Sequence, residues 1–214
     1  MLRFWNRGTS LPNHRLTKKI FDWDYRLCNR NWSFEVQEIL SGVDCIHTFR
    51  NREECDLELM QNMFLNNETV KWDAMRHTKD KLRTYNMFKW TYETEEYVSS
   101  NIRKNLRSLI AQFRLGILPL QIEIGRFRGI PLENRTCSFC DNTVEDEFHI
   151  LCICPLYEEF RKELYDKVML QNPSFQNVDI IDKFIYICAN FHEHLGTFLF
   201  KAIQKRNKML YRCT

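Results

Sequence analysis

Apolar residues recur along most of the chain at intervals of three and four, which predicts a mainly α-helical protein. Leu16, Ile20, Phe21, Trp23 and Leu27 mark a helix over residues 15–28, and Phe34, Val36 and Ile39 mark a short one over 33–40. Trp5, Trp23 and Trp32 are expected as core anchors. Further helical pieces follow over 56–64, 70–75 and 81–90.

The most regular pattern comes next, with Ile102, Leu106, Leu109, Ile110 and Phe113 on one face. Arg103, Arg107 and Arg114 form a positive stripe beside it, and Gly116 is placed to end the helix. The chain then turns through Pro119 into an expected loop, Gly125 to Gly129, carrying Arg126 and Arg128. Pro155 opens another helix along Leu156, Phe160, Leu164 and Val168. In the last helix Leu195, Phe198, Leu199, Ala202 and Ile203 give an apolar stripe, while Lys201, Lys205, Lys208 and Arg212 are expected to face solvent.

Composition agrees with a packed helical fold. Only 6 Gly and 5 Pro occur in 214 residues against 44% hydrophobic residues, which excludes a disordered or linker-dominated chain. No apolar run approaches the ~20 residues that cross a bilayer, and residues 1–10 lack the apolar core of a secretory signal. An intracellular protein with no membrane partner is therefore expected. Nine cysteines then call for an explanation other than a disulfide framework. Cys28, Cys45, Cys55, Cys188 and Cys213 stand singly and read as small hydrophobes.

The net charge of +3 hides a division. Residues 1–100 are neutral, 101–135 carry +5, 136–200 carry −7 and 201–214 carry +5. Arg103, Lys104, Arg107, Arg114, Arg126, Arg128 and Arg135, or Lys201, Lys205, Arg206, Lys208 and Arg212, would draw a nucleic-acid partner. The alternative is a solvated charged face.

Cys137, Cys140, Cys152 and Cys154 crowd around His149. Two cysteines separated by two residues let both thiolates meet one ion at ~2.3 Å from a tight turn, the first half of a zinc knuckle. Thr143 and Asp146 read as a capping box for a helix over 143–153 that carries His149. On such a helix Cys152 would share the His149 face, but Pro155 bends the chain at Cys154 and can return its sulfur to the ion. Cys137, Cys140, His149 and Cys154 are the favoured Zn²⁺ ligands, with Cys152 as the substitute for the fourth.

Residues 100–165 resemble the zinc-binding region carboxy-terminal to the reverse transcriptase of non-LTR retrotransposons. The phrase Gly125-Arg126-Phe127-Arg128-Gly129-Ile130-Pro131, the Cys-x2-Cys pair, Glu147-Phe148-His149 and the final Cys154-Pro155 carry that resemblance. Phe4-Trp5-Asn6-Arg7 and Arg15-Leu16-Thr17-Lys18-Lys19 are similar to sequence downstream of the polymerase in such elements. The resemblance implies a helical fold with an embedded Cys-Cys-His-Cys knuckle. It divides the chain into a helical region (1–100), a zinc-binding region with basic helix and loop (101–170) and a C-terminal helical segment (171–214).

It also implies a nucleic-acid-binding fragment of a retroelement polyprotein that meets RNA or DNA, and other domains of that polyprotein, through Arg103, Arg107, Arg126 and Arg128. No polymerase palm is present within the 214 residues, and Glu145, Asp146 and Glu147 are consecutive rather than convergent, so no enzyme is expected. A protein-interaction scaffold with a structural zinc is the alternative.

Overall fold

The computed structural model describes residues 1–140 and 143–212, without the side chains of Tyr211 and Arg212. Cys213 and the Arg212 side chain, both named above, lie outside that description. The fold is mainly α-helical. Among the described residues, the one β pairing is an isolated bridge between Thr136 and Val144. No described helix is long and apolar enough to cross a membrane. The chain divides into two compact units, Met1–Ala74 and Met75–Thr214.

The first unit contains α1 (Leu2–Thr9), α2 (Leu16–Leu27), α3 (Trp32–Ser41), α4 (Ile46–Asn51) and most of α5 (Leu57–Thr78). Trp5 is fully buried and sits among the rings of Phe21, Tyr25, Trp32 and Phe49, while its indole N–H donates to the Glu53 carbonyl at 2.8 Å. Trp32 is half-buried beside it. Trp23 departs from the expected role, being 63% exposed along with Leu16, Ile20 and Leu27. The reason is that α2 has apolar residues on two faces. The Phe21 face docks on Trp5, and Lys18 on the same side donates to the carbonyls of Gly8 and Thr9 at 3.1 and 3.2 Å, at the end of α1.

The second unit contains α6 (Glu96–Ser99), α7 (Lys104–Arg114), α8 (Gln121–Phe127), α9 (Glu158–Gln171), α10 (Ile180–Asn190) and α11 (His192–Arg212). Helix α11 packs against α7, α9 and α10. Gly196 lets α11 lie close against α7, since a Cβ there would lie 3.1 Å from side-chain atoms of Leu106 and Ile110. Ile110, Phe113, Phe184, Leu195 and Leu199 are buried in the same core as Cys137, Cys152 and Cys154. The cysteine segment is thus built into a helical core.

Two expectations for the basic residues change here. Arg114 does not extend the positive stripe of α7. It is only 2% exposed, pairs with Glu95 at 2.7 Å, donates to the Cys188 carbonyl at 2.6 Å and lies over the Phe88 ring. The last turn of α7 dips into the core, where an acid and an aromatic face offset the desolvation of the guanidinium. Second, Gly125 and Arg126 belong to helix α8 rather than a loop. Glycine serves at 125 because the Arg135 side chain crosses it, and a Cβ would meet Arg135 Cγ at 2.5 Å.

Gly116 ends α7 as expected, with φ +64° and its Cα facing the Lys81 carbonyl oxygen, which a Cβ would approach to 2.5 Å. Gly116→Ala should therefore destabilise the second unit by about 2 kcal/mol or more, combining left-handed strain with a backbone clash. Urea unfolding followed by near-UV circular dichroism will measure it; a midpoint equal to that of the parent would contradict this placement.

Candidate metal centre

The centre is assembled from two local devices. The first is a hairpin-like turn in which the Thr136–Val144 bridge and the bond from Cys137 N–H to the Thr143 carbonyl (2.9 Å) bring Cys137 and Cys140 together. Its tip turns tightly enough for Phe139 N–H to donate to Cys137 Sγ at 3.4 Å.

The second is a short helical turn starting at Glu147. Its cap is Asp146, whose Oδ1 accepts from His149 N–H at 2.8 Å; Thr143 is not the cap that the sequence suggested. That turn widens into a π-helical segment, His149–Ile153, closed by Cys154 N–H donating to the His149 carbonyl at 2.8 Å. A π turn repeats at i+5, so it brings Cys154 around to His149, where an α turn would have brought Cys152 or Ile153. Extended geometry at Cys154 (φ −58°, ψ 124°) before Pro155 completes the bend.

As a result Cys137 Sγ and Cys140 Sγ each lie 4.0 Å from Cys154 Sγ, and Cys140 Sγ lies 3.3 Å from His149 Nε2. All four donor atoms fall within 4.8 Å of one another, and among the described residues no other group of three or more His, Cys, Asp or Glu comes together in this way. A tetrahedral ion with metal–sulfur bonds of ~2.3 Å separates its sulfurs by about 3.8 Å, so the donors stand close to the corners of a tetrahedron that a metal ion fits. Cys152 is outside this set; its thiol is buried in the core, which pushes it up to about 12.

Supporting contacts prepare each ligand. Thr143 Oγ1 lies 3.1 Å from His149 Nδ1; with the Nδ1 proton given to that hydroxyl, Nε2 presents its lone pair to the metal. Burial pushes the Cys154 thiol up to about 12, against the Leu156 N–H that favours its thiolate, and burial likewise raises Cys137 and lowers His149. These shifts favour neutral ligands until a cation supplies the opposing charge.

The acidic residues on this segment have structural partners. The Glu145 carboxylate receives two hydrogen bonds from Arg206 at 2.8 and 2.7 Å and one from Gln121 N–H at 2.8 Å, with Arg206 only 2% exposed. Arg206 is therefore removed from the set of candidate nucleic-acid contacts. Glu147 accepts from Arg83 at 2.7 Å and Thr84 at 2.9 Å, and burial, its largest influence, raises its carboxyl above the ordinary range. Arg135 is also engaged, donating to the carbonyls of Ile130 and Ile122 at 2.8 and 3.1 Å.

Of the four arginines proposed to meet nucleic acid, Arg103 is exposed at the start of α7, and Arg107 is half-buried with a bond to the Val98 carbonyl at 2.9 Å. Arg126 and Arg128 are exposed at the end of α8, where Arg126 is held by both oxygens of Glu123 at 2.8 and 2.7 Å. Lys201, expected to face only solvent, pairs with Glu163, and Lys205 lies 5.1 Å from the Phe160 ring centre. The sequence pattern gives Thr143 a capping role rather than its place beside His149, and it does not pair Glu145 with Arg206, which lies 61 residues further along the chain.

Comparison with models of protein families, with curated proteins and with solved structures gives no match for this chain.

Proposed function

We propose that this chain is a non-catalytic module that binds one structural Zn²⁺ and contacts RNA or DNA, as its resemblance to the retrotransposon zinc-binding region suggests. The observation that carries this reading is the closed Cys137–Cys140–His149–Cys154 cluster. Three thiolates and an imidazole suit Zn²⁺, and four protein ligands leave no position for a reacting water. In this reading the ion fixes the fold around the knuckle, while Arg103, Arg107, Arg126 and Arg128 contact the phosphate backbone.

A salt titration of binding to single-stranded and duplex oligonucleotides tests it, because each neutralised phosphate adds to the logarithmic salt slope. Replacing Arg126 and Arg128 with Ala should lower that slope by about 2 while zinc content is unchanged. A slope near zero for the parent would contradict the nucleic-acid reading. A scaffold role for acidic protein partners is the second reading, favoured by the many cations already paired with acids inside this chain, namely Arg83–Glu147, Arg206–Glu145 and Lys201–Glu163.

A further inference from the structure

A strongly charged cavity of about 450 Å³ opens beside the end of α8. Four cations line it, Lys81, Arg83, Arg126 and Arg135, against the two acids Asp80 and Glu123. Glu123 is held below its ordinary range, first by its bond to Arg126 and then also by Lys81, so it stays ionised as the anchor of both cations. Arg135 has its guanidinium bonded only to carbonyl oxygens among the contacts described above, so its charge is not neutralised by them. Arg83 is paired with Glu147 at 2.7 Å and Lys81 and Arg126 with Glu123, so the wall is held in place and keeps a net positive charge through Arg135.

Directly beside it stands an aromatic ring that packing does not explain. Phe127 is 76% exposed, the most exposed aromatic side chain among the described residues of the second unit. The Arg126 guanidinium lies 4.4 Å from its ring centre and the Lys81 ammonium 5.8 Å. Two of the cations that line the cavity thus also hold the ring. A lone exposed Phe is ordinary on a protein surface. One held by two cations next to a positively charged cavity has the two parts that a single-stranded nucleic acid needs: a flat apolar face for an unpaired base and a positive recess for the adjoining phosphate.

We propose that Phe127 is a stacking platform for an unpaired base, with the neighbouring phosphate drawn into the cavity of Lys81, Arg83, Arg126 and Arg135. This rests on the nucleic-acid reading above and narrows it to single strands. A duplex keeps its bases stacked on one another and offers no free face to the ring.

The test compares Phe127→Ala, Phe127→Trp and the parent, all zinc-loaded, on an oligothymidylate, an oligouridylate and a duplex of equal length. Phe127 is mostly in water, so Phe127→Ala is expected to keep the fold and the metal. It should weaken single-strand binding by about tenfold, within the range of base–aromatic stacking, while duplex affinity and the salt slope stay unchanged. Phe127→Trp should restore the affinity. A loss on either single strand with the duplex unaffected supports the platform. Unchanged single-strand affinity for Phe127→Ala, or an equal loss on the duplex, would overturn the platform and leave the nucleic-acid reading standing. Failure of the parent to bind any of the three probes would overturn that reading itself, and the platform with it.

Discussion

Removing the metal from the reduced protein with a chelator is expected to disorder residues 136–157 and leave the first unit folded. Structural zinc contributes on the order of 10 kcal/mol in small zinc-binding peptides. The turn carrying Cys137 and Cys140 rests on a single β bridge, and the π-helical turn has only five residues, so neither has enough local pairing to replace the metal. Ile150 and Leu151, fully buried from that turn, would lose their fixed position in the core with it. The aromatic core around Trp5 contains no ligand and should be indifferent. Amide hydrogen exchange with and without chelator will show it. Protection that is unchanged over 143–157 would mean that packing alone holds the knuckle.

The second large effect is expected at Arg206. Its guanidinium and the Glu145 carboxylate are 2% and 1% exposed and share two short bonds. Burial works against the arginine's charge, yet the bonds to Glu145 outweigh it and hold Arg206 above its ordinary value. Arg206→Met leaves the Glu145 carboxylate buried with the Gln121 N–H as its remaining partner among these contacts, which should cost about 3–5 kcal/mol. The double change Glu145→Gln and Arg206→Met should recover most of that loss, since a buried pair replaced on both sides is often near neutral. Denaturant unfolding of the three variants gives the coupling energy directly. Additive losses in the double variant would show that the pair does not act as a unit.

What could be read from the sequence was what depends on short spacing. Most helices appear where apolar residues recur every three or four positions, Gly116 ends α7 at a positive φ, and the four ligands lie within one stretch from Cys137 to Cys154; the expected helix over 81–90 is instead a pair of short 3-10 turns, Asp80–Leu82 and Tyr85–Met87. The choice between Cys152 and Cys154 could not be made from helical periodicity, because the π turn changes the repeat from that of an α-helix. Long-range pairings were not readable at all. Arg114 looked like a surface cation until Glu95, Phe88 and the Cys188 carbonyl were found around it, and Arg206 meets an acid 61 residues earlier in the chain. Trp23 misled for a related reason: α2 carries two apolar faces, and only the tertiary contact with Trp5 decides which is buried.

The central claim is that Cys137, Cys140, His149 and Cys154 together hold one zinc ion. Metal analysis combined with zinc X-ray absorption on the reduced, purified protein tests it most directly. The account predicts about one equivalent of zinc, bound by three sulfurs at ~2.3 Å and one nitrogen at ~2.0 Å, unchanged in Cys152→Ala and lost or weakened in Cys154→Ser. Less than about 0.3 equivalents in the parent, or a site that survives Cys154→Ser but not Cys152→Ala, would contradict it.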